Sequence, residues 1–179
     1  TAWYNKGIAL WNLKCYEEAI QAYDRALAID PSYGAAWNNK GAALRNLMRY
    51  DEAIEAHDRA LAIDQNHAAA WNNKGNALSN LKRYAEAIEA YDRALTMDET
   101  DAAAWNNKGF ALHELKRYED ALAAYDRALT LDPSSASARG NRAIALQRSK
   151  SAPLRELKLH AEPLAVPRQQ SFWARLWGK

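Results

Sequence analysis

The chain has 179 residues, a formal net charge of +2 and a single cysteine, Cys15. The balanced charge provides no strong field for nucleic acid, and one cysteine excludes an internal disulfide and any multi-cysteine metal site. No apolar stretch reaches the length of a membrane span and no signal-like segment is present, so we expect a cytoplasmic location. The sequence has no initiator Met and opens inside a repeating pattern, which indicates a fragment of a longer protein.

Two short motifs recur along the chain with a period of 34 residues. The first is Ala-Trp-Asn-Asn-Lys-Gly, or Ala-Trp-Tyr-Asn-Lys-Gly in its first copy, at 2–7, 36–41, 70–75 and 104–109. The second is Tyr-Asp-Arg-Ala-Leu, or His-Asp-Arg-Ala-Leu in its second copy, at 23–27, 57–61, 91–95 and 125–129. A fixed period of this length predicts an array of stacked repeats in place of a single globular core.

Each repeat is predicted to be a pair of helices joined by a short turn. In residues 35–67, apolar or small side chains recur at three- and four-residue steps, which is the helical period. The pattern breaks at 49–51 and resumes at Ala53. Gly41 and Ala53 are small enough to let the two helices approach closely, and the large side chain of Trp37 fills the space beside them.

This pattern resembles the tetratricopeptide repeat, a helix–turn–helix unit of 34 residues with Trp, Gly and Ala at set offsets. In the second repeat the matching residues are Trp37, Gly41, Ala53, His57 and Ala60. The amino-acid sequence of the repeats resembles that of prokaryotic arrays. The resemblance implies an all-α, right-handed superhelical solenoid whose first helices line a concave groove. It places repeats at about 1–33, 34–67, 68–101 and 102–135.

The C-terminal part departs from the repeat pattern. Residues 136–149 read as a degenerate first helix that caps the array. Residues 151–170 contain three prolines and are predicted to form a linker, and 171–179 have the spacing of a short amphipathic tail. Three interpretations of the tail stay open: it is disordered, it docks on a repeat surface of its own or another copy, or it touches a membrane, the least favoured of the three.

Catalytic and metal-binding motifs are absent from the sequence. There is no Gly-rich phosphate loop, no nucleophile elbow and no metalloprotease histidine pair. His57 occupies the place of a tyrosine in the other repeats, which favours a role in lining the core. We therefore expect no enzyme activity, no cofactor and no metal site.

Asparagine carries the strongest functional signal. On a helical wheel the side of the first helix opposite Trp37 holds asparagine in every repeat, and an amide offers donors and an acceptor that suit an extended peptide backbone. The first asparagine ladder is Asn5, Asn39, Asn73, Asn107 and Asn141, and the second is Asn12, Asn46 and Asn80, followed by Glu114. We expect Asn39, Asn73 and Asn107 to contact a partner and not to hold the fold. The alternative is that asparagine only keeps a concave surface wet.

Specificity is expected from two places in the first helix where the repeats differ. The first variable column is Ile8, Ala42, Asn76, Phe110 and Ile144, and the second is Trp11, Arg45, Ser79, His113 and Gln147. Among these, Asn76, Phe110 and His113 are predicted ligand contacts, and Ile8, Phe110 and Ile144 are candidate pockets for alternate side chains of a bound strand. The ladder is neutral, which disfavours clamping of a terminal carboxylate.

The sequence thus predicts a non-catalytic protein-interaction scaffold that binds an extended peptide or partner segment in its groove. Two alternatives stay open: a self-assembling structural scaffold, joined through the end repeats or residues 171–177, and an adaptor domain cut from a larger enzyme. The expected partner is a protein or peptide. Nucleic acid is not expected.

Overall fold

The computed structural model describes the backbone of residues 2–160 and the side chains of residues 2–151. Within that part all regular secondary structure is helical. The helices are α1 (Ala2–Asn12), α2 (Tyr16–Ile29), α3 (Gly34–Asn46), α4 (Tyr50–Ile63), α5 (Ala68–Asn80), α6 (Tyr84–Met97), α7 (Ala102–Glu114), α8 (Tyr118–Leu131) and α9 (Ala136–His160). None of them is both long and apolar enough to cross a membrane. The predicted all-α repeat architecture is confirmed.

The stack of helices is curved. Each helix packs on the next in the chain, and the odd-numbered helices also contact one another, whereas no two even-numbered helices within residues 2–160 do so. Elements on the inside of a curve lie closer together than elements on the outside. The odd-numbered helices therefore line the concave side, and we call them the inner helices and the even-numbered ones the outer helices.

Within each complete repeat the two helices meet where a glycine faces an aromatic ring. A Cβ atom added to Gly41 would lie 2.6 Å from a ring carbon of His57, and the same substitution at Gly75 would lie 2.6 Å from Tyr91. Neither distance is compatible with a methyl group. The fifth copy has Ala143 at this place, and α9 has no following outer helix in the described structure, so the side chain is exposed.

The turn from inner to outer helix has the same backbone in every repeat. Lys14, Met48, Lys82 and Lys116 all adopt a left-handed conformation, with φ between 60° and 62°. In the third repeat the next amide, that of Arg83, donates to the Leu78 carbonyl 2.9 Å away. This is the Schellman arrangement that ends a helix and satisfies its last carbonyl groups.

A side-chain donor links each inner helix to the loop before it. The indole nitrogen of Trp37 donates to the Pro31 carbonyl at 2.9 Å, and those of Trp71 and Trp105 make the equivalent bonds. In the fifth copy Arg139 replaces the tryptophan, and its guanidinium donates to the Pro133 carbonyl, also at 2.9 Å. The substitution keeps the hydrogen bond and discards the ring.

The last helix is longer than predicted. The sequence predicts a linker from residue 151, whereas α9 continues to His160. The stretch 154–159 consists mainly of leucine, arginine, glutamate and lysine, all strong helix formers, and their combined preference outweighs the single Pro153. The rest of the predicted linker and the predicted tail at 171–179 lie outside the described residues.

Candidate functional site

The two ladders and the two variable columns all lie on the inner helices. Three large apolar side chains of the variable columns are exposed there: Trp11 to 37%, Phe110 to 40% and Ile144 to 51%. Ile8 is half-buried. Apolar side chains exposed on a concave surface are a feature of binding sites.

The first asparagine ladder forms hydrogen bonds between adjacent repeats. Four of its amides are half-buried, and each donates to a side chain of the repeat before it over 2.9–3.1 Å. The bonds run from Asn39 to Tyr4, from Asn73 to Asn38, from Asn107 to Asn76 and from Asn141 to Asn106. Stacking places each amide beside a polar group about one period earlier in the chain, and these bonds favour a part in the fold that the sequence does not predict.

The ladder changes its pattern in the third repeat. At the other junctions the acceptor is the residue just before the ladder asparagine of the preceding repeat. These acceptors are Tyr4, Asn38 and Asn106. Asn107 instead donates to Oδ1 of Asn76, which also accepts a 2.9 Å bond from the Tyr91 hydroxyl. Oδ1 of Asn72 is consequently buried without a hydrogen-bond partner among the described residues.

The second asparagine ladder bonds to its own helix. Asn46 donates to the Ala42 carbonyl at 2.9 Å, and Asn80 donates to the Asn76 carbonyl at 2.7 Å. Asn12, Asn46 and Asn80 are all exposed. Asn46 and Asn80 each use one N–H group in this way, so the second N–H group and the carbonyl oxygen of each are chemically available to a ligand.

A pocket of about 240 Å³ opens between the first two inner helices. Its walls are mainly apolar, and amide groups lie at its edge. The lining residues are Ile8, Trp11, Asn12, Tyr23, Asn39 and Ala42. The Trp11 ring packs edge-on against Tyr16 with centroids 6.3 Å apart. Burial raises the pKa of the Tyr23 hydroxyl to about 12, so this residue contributes a neutral group to the pocket.

His57 is fully buried beneath Gly41, in the place that tyrosine occupies in the other complete repeats. Both of its ring nitrogens lack a hydrogen-bond partner among the described residues. Burial, together with the nearby positive charge of Arg45, lowers the pKa of His57 to about 3. His57 is therefore neutral at physiological pH, and its predicted role in lining the core is confirmed.

Arg45 lies on the inner helix α3 next to this buried histidine. Its Nε atom is buried without a partner in residues 2–151. Its charge also lowers the pKa of Tyr91, although burial is the larger influence and raises the pKa of that hydroxyl overall. The guanidinium thus lies close to both His57 and Tyr91, at the boundary between the second and third repeats.

Aromatic contacts dominate the groove at the fourth repeat. The Phe110 ring packs edge-on against Tyr84 with centroids 6.3 Å apart, and His113 packs against Tyr118 at 5.4 Å. Phe110 is exposed, whereas His113 is half-buried and its Nδ1 atom is buried without a partner among the described residues. The two residues predicted to contact a ligand thus differ in accessibility.

Sequence reasoning missed a contact on the outer side. Lys40 lies over the Trp37 ring, 5.3 Å from its centroid, and forms a 2.6 Å ion pair with Asp24 of the preceding repeat. Lys74–Asp58 and Lys108–Asp92 repeat the ion pair at the same distance. Arg142 makes the equivalent pair with Asp126. These lysines and aspartates recur with the same 34-residue period, and that shared period is the sequence feature from which the ion pairs could be predicted.

The arrangement can hold a ligand by contact and hydrogen bonding. Within the described part of the chain no three His, Cys, Asp or Glu side chains cluster to hold a metal ion.

Comparison with solved structures identifies similar helical arrays. A crystal structure of MamA is 23% identical with a TM-score of 0.70, and the match covers 86% of this chain and 95% of that one. The first repeat domain of Spaghetti (RPAP3), bound to the HSP90 peptide SRMEEVD, is 24% identical with a TM-score of 0.65, covering 66% and 94%. YrrB, described as having an unusual peptide-binding site, is 23% identical with a TM-score of 0.70, covering 84% and 77%.

Sequence comparison gives the family. No curated protein sequence matches the chain. Three family models, each described as a tetratricopeptide repeat, match residues 1–33, 32–100 and 72–136. Together they span the four complete repeats, and they agree with the helix pairs and the 34-residue period. The chain belongs to the tetratricopeptide repeat family.

Proposed function

We propose that this protein is a non-catalytic interaction scaffold that binds an extended segment of a partner protein in the groove of its inner helices. The observation that carries the proposal is the exposure of Trp11, Phe110 and Ile144 on the inner helices. Exposed apolar side chains cost free energy in water, and a bound segment would cover them. The similar Spaghetti domain is bound to a peptide, which supports this class of partner.

The two asparagine ladders have different roles in this proposal. The first ladder fixes the spacing of the repeats through its inter-repeat hydrogen bonds, and the second presents exposed amides to the backbone of a bound segment. The variable columns then select the side chains of that segment. Asn76, with its oxygen already accepting two hydrogen bonds, acts mainly by holding Asn107 and Tyr91 in place.

A displayed peptide library tests the proposal. Random nonapeptides are selected on the full chain, and the most enriched peptide is synthesised and its affinity is measured by fluorescence anisotropy. Replacing Phe110 with Ser removes a 40%-exposed ring from the groove and should weaken binding severalfold, because buried apolar contact area is lost.

The matched control is Ile63→Ser, which removes a 43%-exposed apolar side chain from the outer helix α4. Its affinity for the peptide should equal that of the unaltered protein, and circular dichroism verifies that both variants keep their helices. Equal losses for the two variants, or no enriched peptide at all, would contradict the proposed function.

A further inference from the structure

We infer that Arg45 and the pocket beside it form a two-point site for a partner segment that carries an acidic side chain two residues from a large apolar one. The inference rests on the proposed function and specifies its ligand. It assigns the acidic residue to the Arg45 guanidinium and the apolar residue to the pocket lined by Ile8, Trp11 and Ala42.

The charge distribution of the groove identifies the acidic residue. Arg45 is the one lysine or arginine in the two ladders and the two variable columns, and the one carboxylate among them is Glu114, two repeats further along, which accepts from the Tyr84 hydroxyl. Several other cations of the array have a carboxylate partner, such as Lys40 with Asp24 and Arg83 with Glu86. Arg45 forms no ion pair within the described residues, so a carboxylate in the groove would meet it without competition from these columns.

The burial of Nε makes this arginine unlike a solvated surface cation. The buried Nε holds the base of the guanidinium in place, and a carboxylate from the groove would accept from its terminal NH groups in a charge-assisted hydrogen bond. The neighbouring groups support an anion and offer no opposing charge, because His57 is held neutral by burial and the Tyr91 hydroxyl keeps its proton. Arginine also presents its donors in a planar fork that matches a carboxylate.

Helix geometry sets the spacing of the two residues. Ala42 lines the pocket and Arg45 follows it by three positions on α3, so their Cβ atoms are about 5–6 Å apart on one face. In an extended segment, residues i and i+2 point to the same side and are separated by about 6.6 Å. An apolar side chain on one would enter the pocket, while a carboxylate on the other would extend along α3 towards the guanidinium beside His57 and Tyr91.

The groove extends past Arg45 in both directions, towards the pocket of the first repeat and towards Phe110 in the fourth. A segment can therefore pass across Arg45 without ending there. This favours an acidic side chain within the segment over a free chain terminus, and peptides with amidated C-termini distinguish the two sources of carboxylate.

The test uses the library selection on the full chain and on the full-length Arg45→Gln variant. Selection on the unaltered protein should enrich Asp or Glu two residues from Leu, Ile, Phe or Trp, and selection on the variant should lose the acidic preference while it keeps the apolar one. For the top peptide, synthesised with an amidated C-terminus, Arg45→Gln should weaken binding about tenfold, as expected for a charge-assisted hydrogen bond.

A double-mutant cycle separates this effect from a change in fold. Replacing the acidic residue of the peptide with its amide should also lower the affinity about tenfold. Combining this change with Arg45→Gln should lower the affinity little more than either change alone. The matched control is Arg59→Gln on the outer helix α4, which removes the same charge and should leave the affinity unchanged. Circular dichroism and thermal melting verify the fold of each variant.

Several results would overturn the inference. A selection without acidic enrichment would refute the inference, and so would an equal loss of affinity for the acidic and amide peptides on Arg45→Gln. In either case a weakened binding by Phe110→Ser would leave the proposed function in place. Binding only of peptides with a free C-terminus would assign the carboxylate to a chain end instead. If no peptide binds in a Phe110-dependent way, the proposed function fails and this inference fails with it.

Discussion

Equivalent positions of the repeats hold different residues in some copies, and the contacts of those residues differ. His57 replaces a tyrosine that three other repeats retain, and it leaves two ring nitrogens buried without partners. Arg139 replaces a tryptophan yet keeps its hydrogen bond to the preceding loop. The first substitution keeps a ring in the core, and the second keeps the polar contact.

The His57→Tyr variant should be more stable than the unaltered protein, and the difference should grow in acid. The folded-state pKa of about 3 is below the unfolded value of 6.5, so unfolding takes up a proton between these values. The contribution of neutral His57 to stability is therefore complete above pH 6.5 and is lost as the pH falls towards 3. At pH 7 the variant should gain about 1–3 kcal/mol by removing unpartnered polar atoms.

Urea unfolding at pH 7, 6 and 5 measures this effect. Below pH 6.5 the free-energy difference between variant and unaltered protein should widen by about 1.4 kcal/mol per pH unit. His57→Phe provides a second variant that lacks the titrating group. A difference that stays constant with pH would show that His57 is not held neutral in the folded state.

Asn73→Ala should destabilise the fold as well as alter the groove. It removes the donor to Oδ1 of Asn38, a residue that is 8% exposed, and a buried acceptor left without a partner costs about 1–3 kcal/mol. Asn80→Ala is the control, because Asn80 is exposed and bonds only to its own helix, so its effect should stay within about 0.5 kcal/mol. Equal unfolding midpoints for the two variants in urea would show that the inter-repeat bond contributes nothing.

At the scale of the element, the helix pairs follow closely from the sequence. The 34-residue period, the glycine facing an aromatic ring and the turn between the helices depend on local spacing, so one sequence is enough to predict them. The direction of the asparagine face also follows from a helical wheel. The wheel refers to a single helix, however, and cannot show that Asn73 reaches Asn38 in the helix of the previous repeat.

The turn between the helices offers a direct test of backbone strain. Lys82 has a φ of 60°, a conformation that costs a residue with a Cβ atom more than it costs glycine. Lys82→Gly should therefore raise the free energy of unfolding by about 0.5–1 kcal/mol. Lys82→Val should lower it, because a β-branched side chain is poorly accommodated there. Thermal unfolding of both variants measures the effect, and a stabilising valine would contradict the account.

The end of α9 shows the limit of element prediction. Three prolines in residues 151–170 indicate a linker, but only Pro153 falls within the helix, which continues to His160. Proline weakens a helix by a finite amount, and the helix formers after it compensate. The prolines alone therefore predict a helix end about ten residues too early.

For the whole molecule, curvature brings the variable columns together on one face. Each column is spread over more than 100 residues of sequence, and only the stacking of the inner helices makes it a continuous groove. The accessibility of its members depends on packing between repeats, which is why Phe110 is exposed while His113 is half-buried. The Lys–Asp and Arg–Asp ion pairs join each inner helix to the outer helix of the preceding repeat.

The most direct test of the groove as the binding surface is photo-cross-linking of the selected peptide to the full chain. The peptide carries a benzophenone side chain at successive positions, and mass spectrometry identifies the residues to which it attaches. We expect attachment to α1, α3, α5 and α7, with the site moving along the array as the benzophenone moves along the peptide. Attachment mainly to the outer helices α2, α4, α6 and α8 would contradict it.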